Sequence, residues 1–112
     1  MGGLSRLAIN SRLRYSALVK LISNKALREF GARNRSAESP LQDWRRLIEK
    51  GDYGSFAELR ATFGSVDKVG ERYVFDIGGN KFRLIASISF STRQVFVKAV
   101  LTHSDYDKGK WK

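Results

Sequence analysis

Apolar and polar side chains alternate most regularly between Phe82 and Phe90. Phe82, Leu84, Ala86, Ile88 and Phe90 fall on one face, and Arg83, Ile85, Ser87 and Ser89 on the other. A period of two marks a strand with one buried face. Ahead of it, Gly78-Gly79-Asn80 supplies residues that tolerate positive φ, which predicts a hairpin from the strand-like run Arg72 to Ile77. Ser91-Thr92-Arg93 predicts the next turn, into Val95 to Leu101, a run that is apolar on both faces except at Lys98. The last third of the chain therefore reads as three antiparallel strands.

The pattern upstream is helical. Ala17 to Ile22 is a short apolar run that predicts a first strand, stopped by Ser23 as the cap of a helix from Asn24. That helix carries Ala26, Leu27 and Phe30, with Gly31 to Ser36 as its frayed end or a loop. Ser39 as N-cap, Pro40 at the first helical position and Gln42 three residues after the cap form a capping box. Leu41, Trp44, Leu47 and Ile48 then share one face, and Gly51 ends the helix. A second box, Ser55 with Glu58, opens a short helix bearing Phe56, Leu59 and Phe63. An amino-terminal strand and two or three helices on one face of an antiparallel sheet make an α+β fold whose other face is open.

Length and composition agree with one such domain. A chain of 112 residues, 42% hydrophobic and 12% aromatic, buries a single core and is not disordered. Residues Met1 to Ser16 stand apart, carrying Arg6, Arg12 and Arg14 with no acid before Glu29. An acid-free, arginine- and serine-containing start resembles an organelle-import signal, but an extension outside a core domain of residues 17–112 is the preferred expectation. A myristoylation reading of Met1-Gly2 fails because Arg6 stands where Ser or Thr is needed.

Charge narrows the partners. Twenty-one Lys and Arg against 11 Asp and Glu give a net charge of +10, and setting the first 16 residues aside leaves the rest strongly basic. A small basic domain is predisposed to bind a polyanion, because each phosphate neutralised releases counterions from nucleic acid. Cysteine is absent, which excludes disulfides, thiolate metal sites and a cysteine nucleophile. One histidine cannot build a His-rich zinc site, so no metal and no cofactor are expected. No apolar run of about 18 residues exists to span a membrane.

The candidate chemistry gathers at the end of the last strand, where the only histidine, His103, is followed by Asp105, Tyr106, Asp107 and Lys108. Cutting RNA without a metal needs a base for the ribose 2′-hydroxyl, cations around the phosphorane and an acid for the departing 5′-oxygen. Histidine is the side-chain type that titrates nearest neutrality, so His103 is the natural proton carrier. Tyr106 suits stacking on a base or donating a proton, and Lys108 stands beside it. Arg83 and Lys98, on neighbouring strands and off the core face, are placed to flank a phosphate. Arg83, His103 and Tyr106 are the expected catalytic set, with Lys98, Lys108 and Arg72 as RNA-binding cations.

Each has a plainer explanation. A lone histidine at a strand end is often a surface or hydrogen-bonded residue, and Tyr106 an amphipathic rim residue. Arg83 has a potential ion-pair partner in Asp76, which shares its hairpin. Lys98 suits an edge charge that discourages aggregation. Asp105 and Asp107 are too sparse for a metal cage. Trp111, next to the last residue of the sequence, is a candidate base contact. Gly78-Gly79-Asn80 is no phosphate loop, since no helix begins there.

Arg72-Tyr-Val-Phe-Asp-Ile-Gly-Gly-Asn80, Phe82-Arg83-Leu-Ile-Ala86 and above all Thr102-His103-Ser-Asp-Tyr106-Asp107-Lys108 resemble the HigB family of bacterial toxins, within the RelE-like superfamily. The likeness starts near Leu18 and ends near Lys108, and the helical region matches mainly in pattern. Met1 to Ser16 has no counterpart in it, which weakens the organelle-import reading. The resemblance implies a compact RelE-like toxin that cleaves messenger RNA in the ribosomal A site, acting in the cytoplasm. It also implies neutralisation by a HigA-type helix-turn-helix antitoxin encoded beside it. Arg83 matches the sheet arginine that the superfamily sets against the scissile phosphate, and His103 and Tyr106 fall in the segment that carries its acid, base or stacking groups. With no second histidine, an acid–base pair of histidines is unavailable. The residues leave two other functions open: a non-catalytic RNA- or ribosome-binding module, and a structural partner protein.

Overall fold

The computed structural model describes residues 20–22, 24–109 and 111, with side chains described from Asn24 onward. The expected extension over residues 1–16, the first half of the expected opening strand and the Ser23 cap lie outside the described residues. The elements run β1 (Lys20–Ile22), α1 (Asn24–Arg33), α2 (Arg35–Lys50), α3 (Phe56–Thr62), β2 (Asp67–Val69), β3 (Arg72–Ile77), β4 (Phe82–Ser89), β5 (Gln94–Thr102) and α4 (His103–Asp107). The strands form one five-stranded sheet in the order β1-β5-β4-β3-β2. Four of them pair antiparallel, while β1 joins the edge parallel to β5, with Leu21 opposite Val95.

The helices cover one face of this α+β sheet. Leu27 and Phe30 of α1 and Ala37, Leu41, Trp44 and Ile48 of α2 meet Phe75 and Ile77 of β3, Phe82, Leu84 and Ala86 of β4, and Val95 and Val97 of β5 in one core. Edge-to-face rings lock the layers, with Trp44 and Phe75 centroids 5.2 Å apart and Phe30 and Phe82 5.5 Å apart.

Two helical boundaries differ from the sequence expectation, the end of α1 and the start of α2. The segment from Gly31 to Ser36 is neither frayed nor a loop, because α1 continues to Arg33 and α2 begins at Arg35. Gly31 is buried in the last turn of α1, where an added Cβ would stand 3.2 Å from Glu38 Cα of α2. Glycine here lets two backbones approach. Ser39 is therefore not a cap and Pro40 lies inside α2. The first turn of α2 is held upstream, where the Asn34 carbonyl accepts from the Ala37 amide at 2.8 Å, and Ala37, fully buried, extends the apolar stripe to Leu41 and Trp44. Burial of that extra turn offsets an interior proline, which costs about 3 kcal/mol by loss of a donor and a ring clash. Leu47, placed on the buried face by spacing, is 47% exposed. The Ser55 cap stands as expected, its hydroxyl accepting from the Glu58 amide at 3.2 Å.

The sheet holds two further features that shape the site. Gly78, Gly79 and Asn80 all adopt positive φ, at 63°, 62° and 87°, so the β3–β4 hairpin turns as its composition demands. In β5 the ladder slips by one residue: Ile85 faces Ala99 while Ala86 faces Val97, leaving Lys98 without a partner in β4. This bulge moves Val100 onto the core side with Val95 and Val97, although strict alternation from Val97 would turn it outward. The face away from the helices is also less open than its alternation suggests. Val74 and Ile85, paired across β3 and β4, are buried there, and so is Arg83.

Candidate active site

Arg83 sits in the middle of the sheet, opposite Asp76 on one side and Leu101 on the other. The guanidinium is buried there, so its N–H donors need partners. The two Nη groups find acceptors: Nη1 donates to the carbonyls of Asn80 at 3.1 Å and Phe82 at 3.2 Å, and Nη2 donates to Asn80 Oδ1 and meets His103 Nδ1 at 3.0 Å. Nε forms an ion pair with Asp76 Oδ1 at 3.2 Å. The positive-φ turn is what brings Asn80 back over the arginine three residues later.

The tail that covers Arg83 is a helical turn, where the sequence pattern suggested only a rim. Thr102 caps α4, its Oγ1 accepting from the Asp105 amide at 3.1 Å, and the His103 amide bonds the Lys81 carbonyl at 3.0 Å. These contacts tie the tail to the β3–β4 hairpin. Helical spacing then sets Asp107 one turn beyond His103, with Asp107 Oδ2 3.1 Å from His103 Nε2. Tyr106 lies over the guanidinium, its ring centroid 5.4 Å from Arg83 Cζ. Trp111 stacks on Tyr106 at 5.0 Å and 14°, and its Nε1 donates to the Tyr106 carbonyl at 3.0 Å.

Hydrogen-bond logic assigns the histidine. A guanidinium cannot accept, so His103 Nδ1 presents its lone pair to Arg83 and Nε2 carries the proton toward Asp107. The result is a chain of four side chains, Asp76, Arg83, His103 and Asp107, in which the arginine fixes the tautomer and the last carboxylate fixes the ring.

The structure thus brings together Arg83, His103 and Tyr106, and joins Arg83 to Asp76 as the pairing within the hairpin suggested. Lys108 is nearby and pairs with Asp105 at 3.5 Å. Lys98 does not join this cluster: it is the bulge residue, exposed, three positions before Leu101 and so about 10 Å along the strand. Arg72 stands at the other end of β3, facing Val69. Asn80 and Asp107 were not among the expected site residues. The Thr102-x-x-Asp105 spacing, a capping box, was the available signal for α4 and hence for the one-turn separation of His103 and Asp107. Among the described residues no group of three or more acidic, histidine or cysteine side chains is arranged to hold a metal ion, and no helix is long and apolar enough to cross a membrane.

Comparison with known proteins covers the same segment. Residues 37–109 match the family described as HigB_toxin, RelE-like toxic component of a toxin-antitoxin system. The chain is 31% identical over 90 residues to the mRNA interferase toxin HigB of Escherichia coli strain K12, an alignment spanning 78% of this chain and 86% of that protein. It is 33% identical over 91 residues to the mRNA interferase HigB of Escherichia coli O6:H1, covering 79% and 88% of the two chains. The mRNA interferase HigB of Shigella flexneri matches at 31% over 90 residues. Carrying the hairpin, the sheet arginine and the capped tail within the matched segment, this chain belongs to the HigB toxin family, the RelE-like toxic components of toxin–antitoxin systems, and so has an antitoxin as partner.

Proposed function

We propose that this protein is a cytoplasmic endoribonuclease that inhibits translation by cutting messenger RNA on the ribosome, and that a HigA-type helix-turn-helix antitoxin neutralises it. The observation that carries the reading is the 3.0 Å contact between Arg83 Nη2 and His103 Nδ1, which couples a sheet cation to a proton carrier. An RNA phosphate entering beside Tyr106 takes the Nη2 proton donor from His103. The Nδ1 lone pair so released can serve as the base that the 2′-hydroxyl needs. The 2′-oxygen bonds to phosphorus, the bond to the 5′-oxygen breaks, and the products are a 2′,3′-cyclic phosphate and a 5′-hydroxyl. Arg83 balances the phosphorane charge. His103, once protonated, and Tyr106 are the two groups positioned to return a proton to the leaving oxygen. Lys98, Lys108 and Arg72 supply longer-range attraction for the RNA. A site with so few catalytic groups depends on its substrate being held in place, which is the part assigned to the ribosome.

One observation favours a second reading, a non-catalytic RNA- or ribosome-binding module: Arg83 is only 8% exposed, both of its Nη groups are hydrogen-bonded within the protein and its Nε is ion-paired with Asp76. Mapping of RNA 5′ ends after induced expression separates the two. New 5′-hydroxyl ends in translated RNA support the nuclease, and growth arrest without new ends removes it.

A further inference from the structure

Among the described residues, only Asn80 and Arg93 adopt positive φ without being glycine, Asn80 at 87°. Asparagine tolerates this region better than most side chains, but glycine enters it with no steric cost, and Gly78 and Gly79 of the same turn stand at 63° and 62°. A third glycine would turn the chain as well. What it would not supply is the amide. Asn80 Oδ1 accepts from Arg83 Nη2, a bond glycine cannot make, while the Asn80 backbone carbonyl, which any residue has, accepts from Nη1 at 3.1 Å.

The bond to arginine also fixes which way the amide points. A guanidinium only donates, so Oδ1 faces Arg83 and Nδ2, with two protons to give, faces away from it. Among the described residues Nδ2 has no hydrogen-bond partner, and Asn80 is exposed although the arginine it grips is buried. Asp76 holds Nε and two carbonyls hold Nη1, which leaves Nη2, shared with His103, as the donor an anion can take over. Nδ2 belongs to the amide already bonded to that same Nη2, so a charged and a neutral donor stand side by side. We propose that Asn80 is a further catalytic residue of the cleavage reaction, its Nδ2 donating to a non-bridging oxygen of the scissile phosphate while its Oδ1 orients the Arg83 fork. The two donors meet the phosphorane oxygens as their negative charge grows. The catalytic role rests on the RNA-cleaving reading, but the phosphate contact is measured without cleavage.

The full chain is titrated with a short, dye-labelled 2′-O-methyl oligoribonucleotide, which cannot be cleaved, and cutting of ribosome-bound messenger RNA is followed for the same proteins. Asn80→Gly keeps the turn and the backbone carbonyl and removes both functions of the amide, and thermal melts confirm that it is folded. It should bind the oligomer at least about tenfold more weakly, the low end for a hydrogen bond to a charged group. Cleavage should fall roughly a hundredfold, as for the loss of one oxyanion donor. Asn80→Asp keeps an acceptor for Arg83 but not the donor, and should recover neither activity. The message is also supplied with sulfur in place of one or the other non-bridging oxygen of the cleaved bond. One of these substitutions should slow the wild type more than Asn80→Gly, because sulfur is a poor acceptor for an amide the variant has already lost. Undiminished binding of the oligomer by folded Asn80→Gly overturns the phosphate contact. Equal sulfur effects in wild type and variant at both positions, or full recovery by Asn80→Asp, also overturn it and leave Asn80 the single task of orienting Arg83. Wild-type protein that cuts no RNA, with binding still lost in both variants, removes the nuclease reading and leaves the contact standing. Cleavage by the wild type with binding and cleavage undiminished in Asn80→Gly does the reverse.

Discussion

Arg83 Nη2 and His103 Nδ1 meet at 3.0 Å although the two residues lie twenty positions apart, one in the centre of the sheet and one at the first turn of the terminal helix. The contact sets the tautomer of the histidine and fastens α4 over the arginine. It makes the proposed catalytic set mechanically interdependent, so substitutions at either end should change both activity and the seating of the tail.

Arg83→Ala should abolish toxicity and also lower stability. Removing a preorganised cation from a phosphoryl site costs at least about a hundredfold in rate. The same change strips partners from Asp76, Asn80 and His103, a destabilisation on the order of 1–3 kcal/mol. Arg83→Lys keeps the charge but has no planar fork to reach Asp76, Asn80, Phe82 and His103 together, and should rescue neither property fully. Growth after induction, paired with thermal melts, reads both effects. Full toxicity of a folded Arg83→Ala protein contradicts the role.

His103→Gln and Tyr106→Phe divide the tail's work. Glutamine accepts from Arg83 through its amide oxygen but cannot carry a proton, so cleavage should fall at least about tenfold while the fold persists. Phenylalanine keeps the ring over the guanidinium and loses only the hydroxyl. Equal cleavage by wild type and both variants would exclude the tail as a catalytic element.

Much of this arrangement is legible in the sequence. The alternation around Arg83 placed it off the core face, Gly78-Gly79-Asn80 announced the turn, and Ser55 with Glu58 marked a real helix start. Other parts obeyed weaker local signals or none. The capping box at Ser39 lost to burial of Ala37 a turn earlier, a tertiary effect that local spacing does not contain. Strand β2 has three residues, too few for a period to show. The bulge at Lys98 is hidden because β5 is apolar on both faces, so a slip of one residue leaves the pattern unchanged. Asn80 read as a turn former, and only the folded hairpin reveals that its side chain also grips Arg83.

Asp107 should act through the histidine rather than on RNA. Asp107→Ala frees the Nε2 side of the ring and should reduce cleavage several-fold, about tenfold at most. Asp107→Asn retains an acceptor for the Nε2 proton and should recover most of that loss. Because the carboxylate is 59% exposed, stability should move by no more than about 0.5 kcal/mol in either variant. Melting curves and cleavage rates of the two variants check this; identical defects in Ala and Asn point to a role for the charge itself.

Pro40→Ala should stabilise the protein. The alanine restores an amide donor inside α2 and removes the ring clash, a gain of about 1 kcal/mol or more out of the roughly 3 kcal/mol that interior proline costs. Toxicity should be unchanged if α2 serves only the core. A lower midpoint in denaturant would show that the ring's packing near Gly78 outweighs its effect on the helix.

Mapping of RNA 5′ ends in cells expressing the wild type, Arg83→Ala or His103→Gln, each confirmed folded, tests the central claim most directly. The account predicts new 5′-hydroxyl ends within translated messages for the wild type, none above background for the arginine variant and few for the glutamine variant. Growth arrest by the wild type with no new ends, or the same ends from all three proteins, contradicts it.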